Sequence, residues 1–405
     1  MTAPTSPTTP ATRNEPLVLD ALRLGSNDRI ELFMFGDTSL IARSQFPPGV
    51  DRPGGAPLAF SLGELGLQVT AHLAPGLVGR MEAAISYNDG YGTDIDLERV
   101  YIEYRKKGYV VAAGRTHTEL GYWNNAFHHG RWLQLTINRP RVLRFEDSGG
   151  MLPVHHIGVT FERTPERGES GIEAVVAVGN GHGPTQLGIQ TNGDDNIAKS
   201  LLLRIGGVGY AHDTLRFGVN AMIDKIRGET FINAAGNEVP VYPLLGLETG
   251  ASPTASMTEL ITGAYLALRA EDLEVFSEVY NVLHTGGGKS WDTTDGFVVA
   301  GLRFGSWIPY AQFEARYGDG GTDPFYNSDP EFAAEAGAPT NFVEGILGLH
   351  YDLSAWSALK LELGARQLGS GQTGFMGMGA NQGPDIPLKN GQDDYRVEIN
   401  WSFGR

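Results

Sequence analysis

Residues 64–73 read ELGLQVTAHL, a run in which side chains of two kinds alternate. In an extended chain, Leu65 and Leu67 fall on one face, and Glu64 and Gln68 fall on the other. The alternation lasts about ten residues, which is the length that a tilted strand needs to cross a bilayer. Strands of soluble sandwiches are usually only about five or six residues long. The stretch therefore predicts a membrane-crossing β-strand.

The same alternation recurs along most of the chain. It continues in residues 79–88, behind a Pro75-Gly76 turn, and reappears in residues 215–224 and 357–366. A turn between two alternating runs predicts an antiparallel hairpin. We count about sixteen such strands between residues 28 and 403, which is the even number that an up-and-down barrel requires.

The connections between these runs alternate in length, as in an up-and-down membrane barrel with brief turns at one end and long loops at the other. We place the short turns near residues 74–78, 106–108, 165–170, 211–214, 269–272, 305–307 and 353–356. We place the longer loops near residues 37–60, 89–93, 117–152, 181–198, 227–257, 285–294, 318–340 and 369–393.

The C-terminal run has the clearest alternation. Tyr395, Trp401 and Phe403 share one face with the aliphatic residues between them, while Arg396 and Glu398 lie on the opposite face. This run resembles the C-terminal assembly signal of outer-membrane proteins. The resemblance implies the barrel-assembly machinery as a partner and the bacterial outer membrane, with its lipid, as the location. In that family the chain usually ends on the aromatic residue, whereas here a glycine and an arginine follow.

Composition narrows the class of protein. The 405 residues are 41% hydrophobic with a mean hydropathy of −0.19, and we find no apolar run of the ~20 residues that a membrane-spanning helix needs. The net charge of −16 argues against nucleic-acid binding. Residues 1–16 contain no apolar signal-peptide core, so we interpret residues 1–27 as a disordered periplasmic leader after removal of an export signal. Residues 28–405 are predicted to form one barrel.

Residues 117–152 differ from the other loops because aromatic, basic and acidic side chains are mixed in them. A loop of this length is usually functional or disordered, and its Trp, Phe, Leu and Ile content argues against disorder. The order of strands resembles that of the sixteen-stranded bacterial porins. The run from Glu103-Tyr104-Arg105 to Tyr122 is similar to the strand-to-loop passage of phosphate-selective-porin-like proteins.

The resemblance implies a third external loop folded into the barrel, a homotrimer, and passive diffusion of small hydrophilic solutes or ions. Charges fixed in a narrow passage act strongly on a permeating ion. The arginines of the loop would form an anion-attracting ladder, opposed by its carboxylates; alternatively, these groups pair only to anchor the loop. The candidate constriction residues are Glu119, Arg131, Arg139, Arg141, Arg144, Glu146 and Asp147. The candidate pore-wall residues are Arg80, Glu82, Arg216, Arg303, Glu314, Arg316, Lys360, Glu362 and Arg366.

Other functions have weaker support in the sequence. Five of the ten histidines lie in residues 117–156, but no ligand spacing accompanies them, so we predict no metal site and no cofactor. No Gly-x-Ser-x-Gly motif is present, and we expect no enzymatic activity. A barrel-borne hydrolase and a plugged structural barrel remain the alternative functions. A soluble β-sandwich or β-helix is the alternative fold.

Overall fold

A computed structural model describes residues 22–24, 29–43, 58–88, 92–127, 131–143, 150–166, 169–181, 199–209, 215–227, 229–232, 238–242, 256–323, 325–326, 341–368, 374–376, 386–388 and 393–404. Sixteen long strands dominate these residues. They are β1 Ile30–Arg43, β2 Leu58–Ala74, β3 Leu77–Asn88, β4 Gly92–Lys106, β5 Tyr109–His117, β6 His155–Arg163, β7 Gly171–Gly179, β8 Ser200–Gly209, β9 Leu215–Arg227, β10 Ser256–Arg269, β11 Leu273–Gly286, β12 Lys289–Leu302, β13 Trp307–Gly318, β14 Phe342–Ser354, β15 Ser357–Leu368 and β16 Asp393–Gly404.

These strands form a closed, all-antiparallel barrel. Each strand pairs with the next strand along the chain, and β16 pairs with β1 from Phe35 opposite Gly404 to Arg43 opposite Arg396. Closure satisfies the backbone groups that an edge strand would leave unpaired. The all-β fold and the count of sixteen strands predicted from the sequence are confirmed. Within the predicted leader, Leu22–Leu24 pairs with the first residues of β1.

The two faces of the barrel wall differ in exposure. Leu65 and Leu67 of β2 and Leu361 and Leu363 of β15 are exposed, whereas the charged side chains that alternate with the last two are buried. We call the first face the exposed face and the second the covered face. The period of two along each strand places large apolar side chains together on the exposed face. A continuous apolar outer band is typical of barrels that contact lipid.

Most short connections lie at one end of the barrel. The β2–β3 and β4–β5 turns have only two residues each, and Gly76 and Gly108 in them have φ of 77° and 73°. At the other end, the prediction of a longer loop near residues 285–294 is wrong. There β11 and β12 remain paired up to Gly286 opposite Lys289, and a two-residue Gly287-Gly288 turn joins them. Both glycines have positive φ, as a tight hairpin turn requires.

The remaining elements are short. The β5–β6 connection contains the helix Trp123–Phe127 and the 3₁₀ turn Arg141–Leu143. Two small hairpins pair Glu229–Ile232 with Glu238–Tyr242, and Gly374–Met376 with Ile386–Leu388. Among the described residues, no helix is long and apolar enough to cross a membrane.

Candidate functional site

The connection between β5 and β6, which we call segment 118–154, is the candidate site. It is described over residues 118–127, 131–143 and 150–154. At its base, the Thr118 N–H donates to the Val154 carbonyl over 2.8 Å, so the two chain ends stay adjacent where they leave the sheet. Between them the apolar side chains that argued against disorder are buried.

Trp123 is the centre of the apolar contacts that the segment makes with the wall. Its ring lies 5.5 Å from the ring of Phe276 in β11 and 5.5 Å from that of Phe297 in β12, in edge-to-face geometry. Phe127, at the other end of the helix, packs on Trp123 at 4.8 Å and on Phe276 at 5.2 Å. The Arg269 guanidinium lies 5.0 Å from the Phe127 ring. Aromatic packing of this kind fixes the helix against β10, β11 and β12.

Trp132 contacts a distant part of the wall. Its ring lies 5.7 Å from that of Phe33 in β1, and Phe35 belongs to the same buried cluster. A Cβ added at Gly404, the last residue of β16, would collide with the Trp132 indole. The glycine that follows the C-terminal aromatic residue therefore leaves room for this contact. Together with Trp123, Trp132 extends the contacts of the segment from β11 to β1.

A buried carboxylate holds the backbone of the segment at its helical end. Glu278 of β11 accepts hydrogen bonds from the backbone N–H groups of Tyr122, at 2.8 Å, and Trp123, at 2.7 Å. The Tyr280 hydroxyl donates to its second oxygen over 2.6 Å. Gly121 approaches so closely, with φ of 68°, that a Cβ there would collide with the Tyr280 hydroxyl. A carboxylate at the first N–H groups of a helix satisfies donors that the helix itself leaves unpaired.

A buried ammonium group holds the backbone of the segment farther along. Lys360 Nζ, on the covered face of β15, donates to the carbonyl oxygens of Gln134 at 2.7 Å and Thr136 at 2.9 Å, and also to that of Arg131. A lysine ammonium has three donors and no acceptor, so these three carbonyls satisfy it. Lys360 thus binds the carbonyl groups of the segment, whereas Glu278 binds its N–H groups.

Three further carboxylates of the wall complete these contacts. Glu362 accepts from the Ile137 N–H at 2.6 Å, Glu314 from the Val142 N–H at 3.0 Å, and Glu398 from the Asn138 side chain at 3.0 Å. Sequence analysis assigned Glu314, Lys360 and Glu362 to the pore wall. The structure places all three in the wall, but buried beneath segment 118–154 and hydrogen-bonded to its backbone.

Three of the four predicted constriction residues that the structure describes are paired with the wall. Arg131 bonds Asp37 of β1 at 2.7 Å, and Arg141 bonds Glu344 of β14 at 2.6 Å. Glu119 accepts from Arg204 of β8 at 2.7 Å. Arg139 is half-buried, and Arg144, Glu146 and Asp147 lie outside the described residues. These contacts agree with the anchoring alternative for Arg131 and Arg141, and a direct role in the constriction stays a prediction.

Two of these loop groups have shifted pKa values. Burial raises the pKa of the Glu119 carboxyl above its ordinary value, although the guanidinium of Arg204 acts in the opposite direction. For Arg131, burial lowers the pKa, but the carboxylates of Asp37, Glu398 and Glu64 together raise it above its ordinary value, so the group stays protonated.

The other predicted wall residues have different surroundings. Arg316 pairs with Asp295 in the buried part of β12 and β13, at 2.7 Å. Arg366 is buried in β15. Arg303 lies in the turn after β12, at the short-turn end, where it bonds Asp352 at 2.7 Å. The remaining three wall candidates, Arg80, Glu82 and Arg216, belong to ion pairs that are partly open to solvent.

The open ion pairs share an asymmetry in exposure. The Arg80 side chain is 38% exposed while its partner Glu103 is 3% exposed. For Arg99 and Glu82 the values are 20% and 1%, and for Arg216 and Glu173 they are 24% and 2%. In each pair the carboxylate is buried and the guanidinium is the group that solvent can reach. On the same side of the barrel, Gln68, Thr70 and Tyr101 of β2 and β4 are half-buried.

Sequence analysis missed the carboxylates that bind the segment. Glu278, Glu344 and Glu398 lie on the covered face of strands whose alternation is readable, but their partners lie more than a hundred residues away along the chain. A carboxylate on the polar face of a predicted strand was the available signal. It does not identify a partner, because the path of a long connection is not encoded in strand periodicity.

No group of three or more histidine, aspartate or glutamate side chains in the described part of the chain is arranged to hold a metal ion. Of the five clustered histidines, His155 bonds Glu98 at 2.7 Å and lies beside His117, with ring centroids 5.5 Å apart. His128 and His129 lie outside the described residues.

The geometry defines a closed sixteen-stranded barrel whose third long-end connection packs along the covered face of the wall. No family model matches the chain, and no curated protein matches it. Solved structures do. An anion-selective porin from Comamonas acidovorans is 12% identical with a TM-score of 0.62, covering 93% of this chain and 99% of that one. OmpT of Vibrio cholerae, in a trimer form, is 11% identical with a TM-score of 0.55, covering 93% and 99%.

OprB of Pseudomonas putida is 9% identical with a TM-score of 0.52, covering 93% of this chain and 94% of that one. At these identities the likeness concerns the fold. The chain therefore has the fold of the sixteen-stranded outer-membrane porins, as the resemblance in the sequence implied.

Proposed function

We propose that this protein is an outer-membrane porin, a passive diffusion channel whose lumen is narrowed by segment 118–154. One observation carries the proposal. The segment contacts the covered face of β8 to β16 and β1, while polar side chains on β2 to β5 stay partly open to solvent. The covered face then lines the lumen, and solutes pass between the segment and strands β2 to β5.

The charges around this passage favour anions. The chain as a whole is strongly acidic, but the open ion pairs at Arg80 and Arg99 turn the guanidinium toward solvent and bury the carboxylate. In a narrow passage, the nearest charges dominate because screening by water and salt is reduced there. The Comamonas porin with the same fold is described as anion-selective, which supports this direction of preference.

The fold also supports a location and an assembly. A continuous apolar exposed face suits the lipid of a bacterial outer membrane, and the C-terminal strand β16 is the segment that we expect the barrel-assembly machinery to bind. We propose a trimer because OmpT of Vibrio cholerae, which has the same fold, occurs in a trimer form.

Conductance across a planar lipid bilayer tests the channel function. Purified protein is expected to insert in discrete steps, each with the same ohmic conductance. Protein that is shown to be folded by its resistance to denaturation in detergent, yet gives no steps, would favour the plugged structural barrel. Ester or lipid hydrolysis abolished by one serine substitution would instead favour the hydrolase.

Charge selectivity depends on the exposed guanidinium groups. In a KCl gradient, the reversal potential of the wild type is expected to have the sign of chloride preference. The double variant Arg80→Gln/Arg99→Gln is expected to lower the chloride-to-potassium permeability ratio by about fivefold or more, since the two charges near the ion path are together worth about 1 kcal/mol or more.

Arg163 provides the matched control for this measurement. Its guanidinium lies over the Tyr109 ring, at 5.1 Å, and Tyr109 belongs to the exposed face. Arg163→Gln removes the same charge outside the proposed passage and is expected to leave the reversal potential unchanged. A cation preference in the wild type, or an equal shift in both variants, would refute the proposed role of Arg80 and Arg99.

A further inference from the structure

A second connection packs against segment 118–154 at the long-connection end of the barrel. It follows β13, and we call its described residues 319–323 and 325–326 the rim segment. Phe325 and Tyr326 are buried in the same apolar cluster as Met151, near the end of segment 118–154. The Tyr326 hydroxyl donates to the Met151 carbonyl over 3.4 Å. The rim segment thus contacts the element that we propose to form the constriction.

One fully buried histidine fixes the rim segment to the wall. His284, close to the end of β11, contacts Asp323 of the rim segment through Nδ1 at 2.6 Å and Glu259 of β10 through Nε2 at 2.9 Å. Its ring also packs edge-to-face on Phe325, with centroids 5.1 Å apart. The three polar side chains are almost inaccessible to solvent. Asp323 also accepts from the Phe325 N–H at 3.0 Å, which orders the turn that carries it.

With both carboxyl groups ionised, this triad requires a protonated ring. Carboxylates only accept hydrogen bonds, and imidazole has an N–H at both nitrogens only when it is the imidazolium. A neutral ring donates to one carboxylate and leaves the other buried charge without its donor, which is costly. The neighbouring charges are an ion pair, Arg316 of β13 with Asp295 of β12. The other titratable groups of the rim segment are the Asp319 carboxylate, which accepts from the Asp292 N–H over 3.2 Å, and the Tyr326 hydroxyl.

We propose that His284 is a positioning residue: its doubly paired ring holds the rim segment on Met151 and thereby fixes segment 118–154 from the long-connection end. The hold depends on the ring proton. It is complete at neutral pH and is lost when alkaline pH removes that proton. The consequence for permeation, a passage that becomes wider and noisier when the hold is lost, rests on the proposed channel function.

Amide hydrogen exchange in detergent micelles tests the hold independently of any channel activity. In His284→Asn, exchange in the rim segment and in residues 150–154 is expected to be faster than in the wild type by on the order of a hundredfold. Asp323→Ala removes the same contact, but the substituted residue lies in a connection rather than in a strand. We therefore expect the barrel to form without that side chain. It is expected to accelerate exchange at the same residues.

The pH profile separates a role of the ring proton from simple packing. After correction for the intrinsic pH dependence of exchange, the wild type is expected to show a step toward faster exchange at alkaline pH, and His284→Asn is expected to show none. His350→Asn is the matched control. His350 is a fully buried histidine of β14 that bonds Asp352 at 2.9 Å, at the short-turn end of the barrel. The His350→Asn variant is expected to leave amide exchange in the rim segment as slow as in the wild type.

Unchanged exchange in both His284→Asn and Asp323→Ala would overturn the proposal, and so would equal loosening in His350→Asn. Conductance recorded in parallel distinguishes the two levels of the account. If exchange in the wild type becomes faster at alkaline pH but the protein conducts nothing at any pH, the porin function is refuted and the positioning role of His284 stands. If the protein conducts but exchange is unchanged in both variants, the positioning role is refuted and the porin function stands.

Discussion

Replacing Glu278 by alanine is expected to release the helical end of segment 118–154 and to increase single-channel conductance. The backbone N–H groups of Tyr122 and Trp123 and the Tyr280 hydroxyl lose their common acceptor. A buried donor without a partner costs about 1–3 kcal/mol. The two backbone N–H groups belong to the segment, so their loss should weaken the hold by about 2 kcal/mol or more, a factor of roughly 30 in the population of the bound segment. Hydrogen exchange of residues 120–127 reports the release directly.

Glu274→Ala is the control for this variant. Glu274 lies four residues earlier in the same strand and on the same face. Its carboxylate lies 3.8 Å from the Arg303 guanidinium. It removes a carboxylate from β11 without touching the amides of the segment that Glu278 binds. Conductance and exchange in Glu278→Ala that match the wild type would show that the carboxylate does not position the segment.

The second large effect is expected for Lys360→Met. Methionine keeps a similar unbranched stem but removes the ammonium group that donates to the carbonyls of Arg131, Gln134 and Thr136. Three buried acceptors then lack a donor, and residues 131–136 should lose about 2 kcal/mol or more of stabilisation. Current recorded in bilayers is expected to show larger and less uniform steps, and exchange at residues 131–136 to become faster.

Lys289→Met serves as the control, because Lys289 is exposed at the start of β12. It removes the same charge from the chain and is expected to change neither readout. Glu278 and Lys360 hold different parts of the segment, so the free-energy losses in the double variant should be close to additive. A Lys360→Met protein with wild-type step size and exchange would contradict the proposed function of the ammonium group.

The fold was predictable from the sequence because its determinants are local. Alternation in residues 64–73 and 79–88 depends only on the period of an extended chain, and closure follows from repeating such hairpins an even number of times. The failure at residues 285–294 is also local in origin. Glycine was read as a sign of a long loop, whereas Gly287 and Gly288 supply the positive φ of a tight turn.

The site was predictable only in part. Composition identified residues 117–152 as unusual, and their apolar content indicated order, which agrees with the buried apolar side chains of the described residues 118–127, 131–143 and 150–152. The roles of individual charges depend on contacts between distant parts of the chain, such as Arg141 with Glu344. The alternation of side chains along a strand predicts that Lys360 and Glu362 lie on the polar face. It does not say whether such a residue meets water or the backbone of a folded connection.

The exposure of the guanidinium groups also could not be read from the sequence. Arg80 and Glu82 alternate with apolar residues in β3 in the same way, and both were assigned to the wall. In the structure, Arg80 is partly open to solvent while Glu82 is buried beneath Arg99. The sign of the charge that a permeating ion meets is therefore set by side-chain packing in the folded barrel. The net charge of the chain does not determine it.

The central claim is that segment 118–154 lies within the lumen and narrows it, and a cross-link between the segment and the wall tests this most directly. Ser39 of β1 and Asn138 of the segment bond the two oxygens of one carboxylate, Glu398, at 2.8 and 3.0 Å. The chain contains no cysteine, so Ser39→Cys/Asn138→Cys introduces one unique thiol pair. We predict that a short bifunctional thiol reagent joins the pair efficiently in the folded barrel and leaves single-channel conductance unchanged. Failure to cross-link, or a cross-link that alters the conductance, would contradict the account.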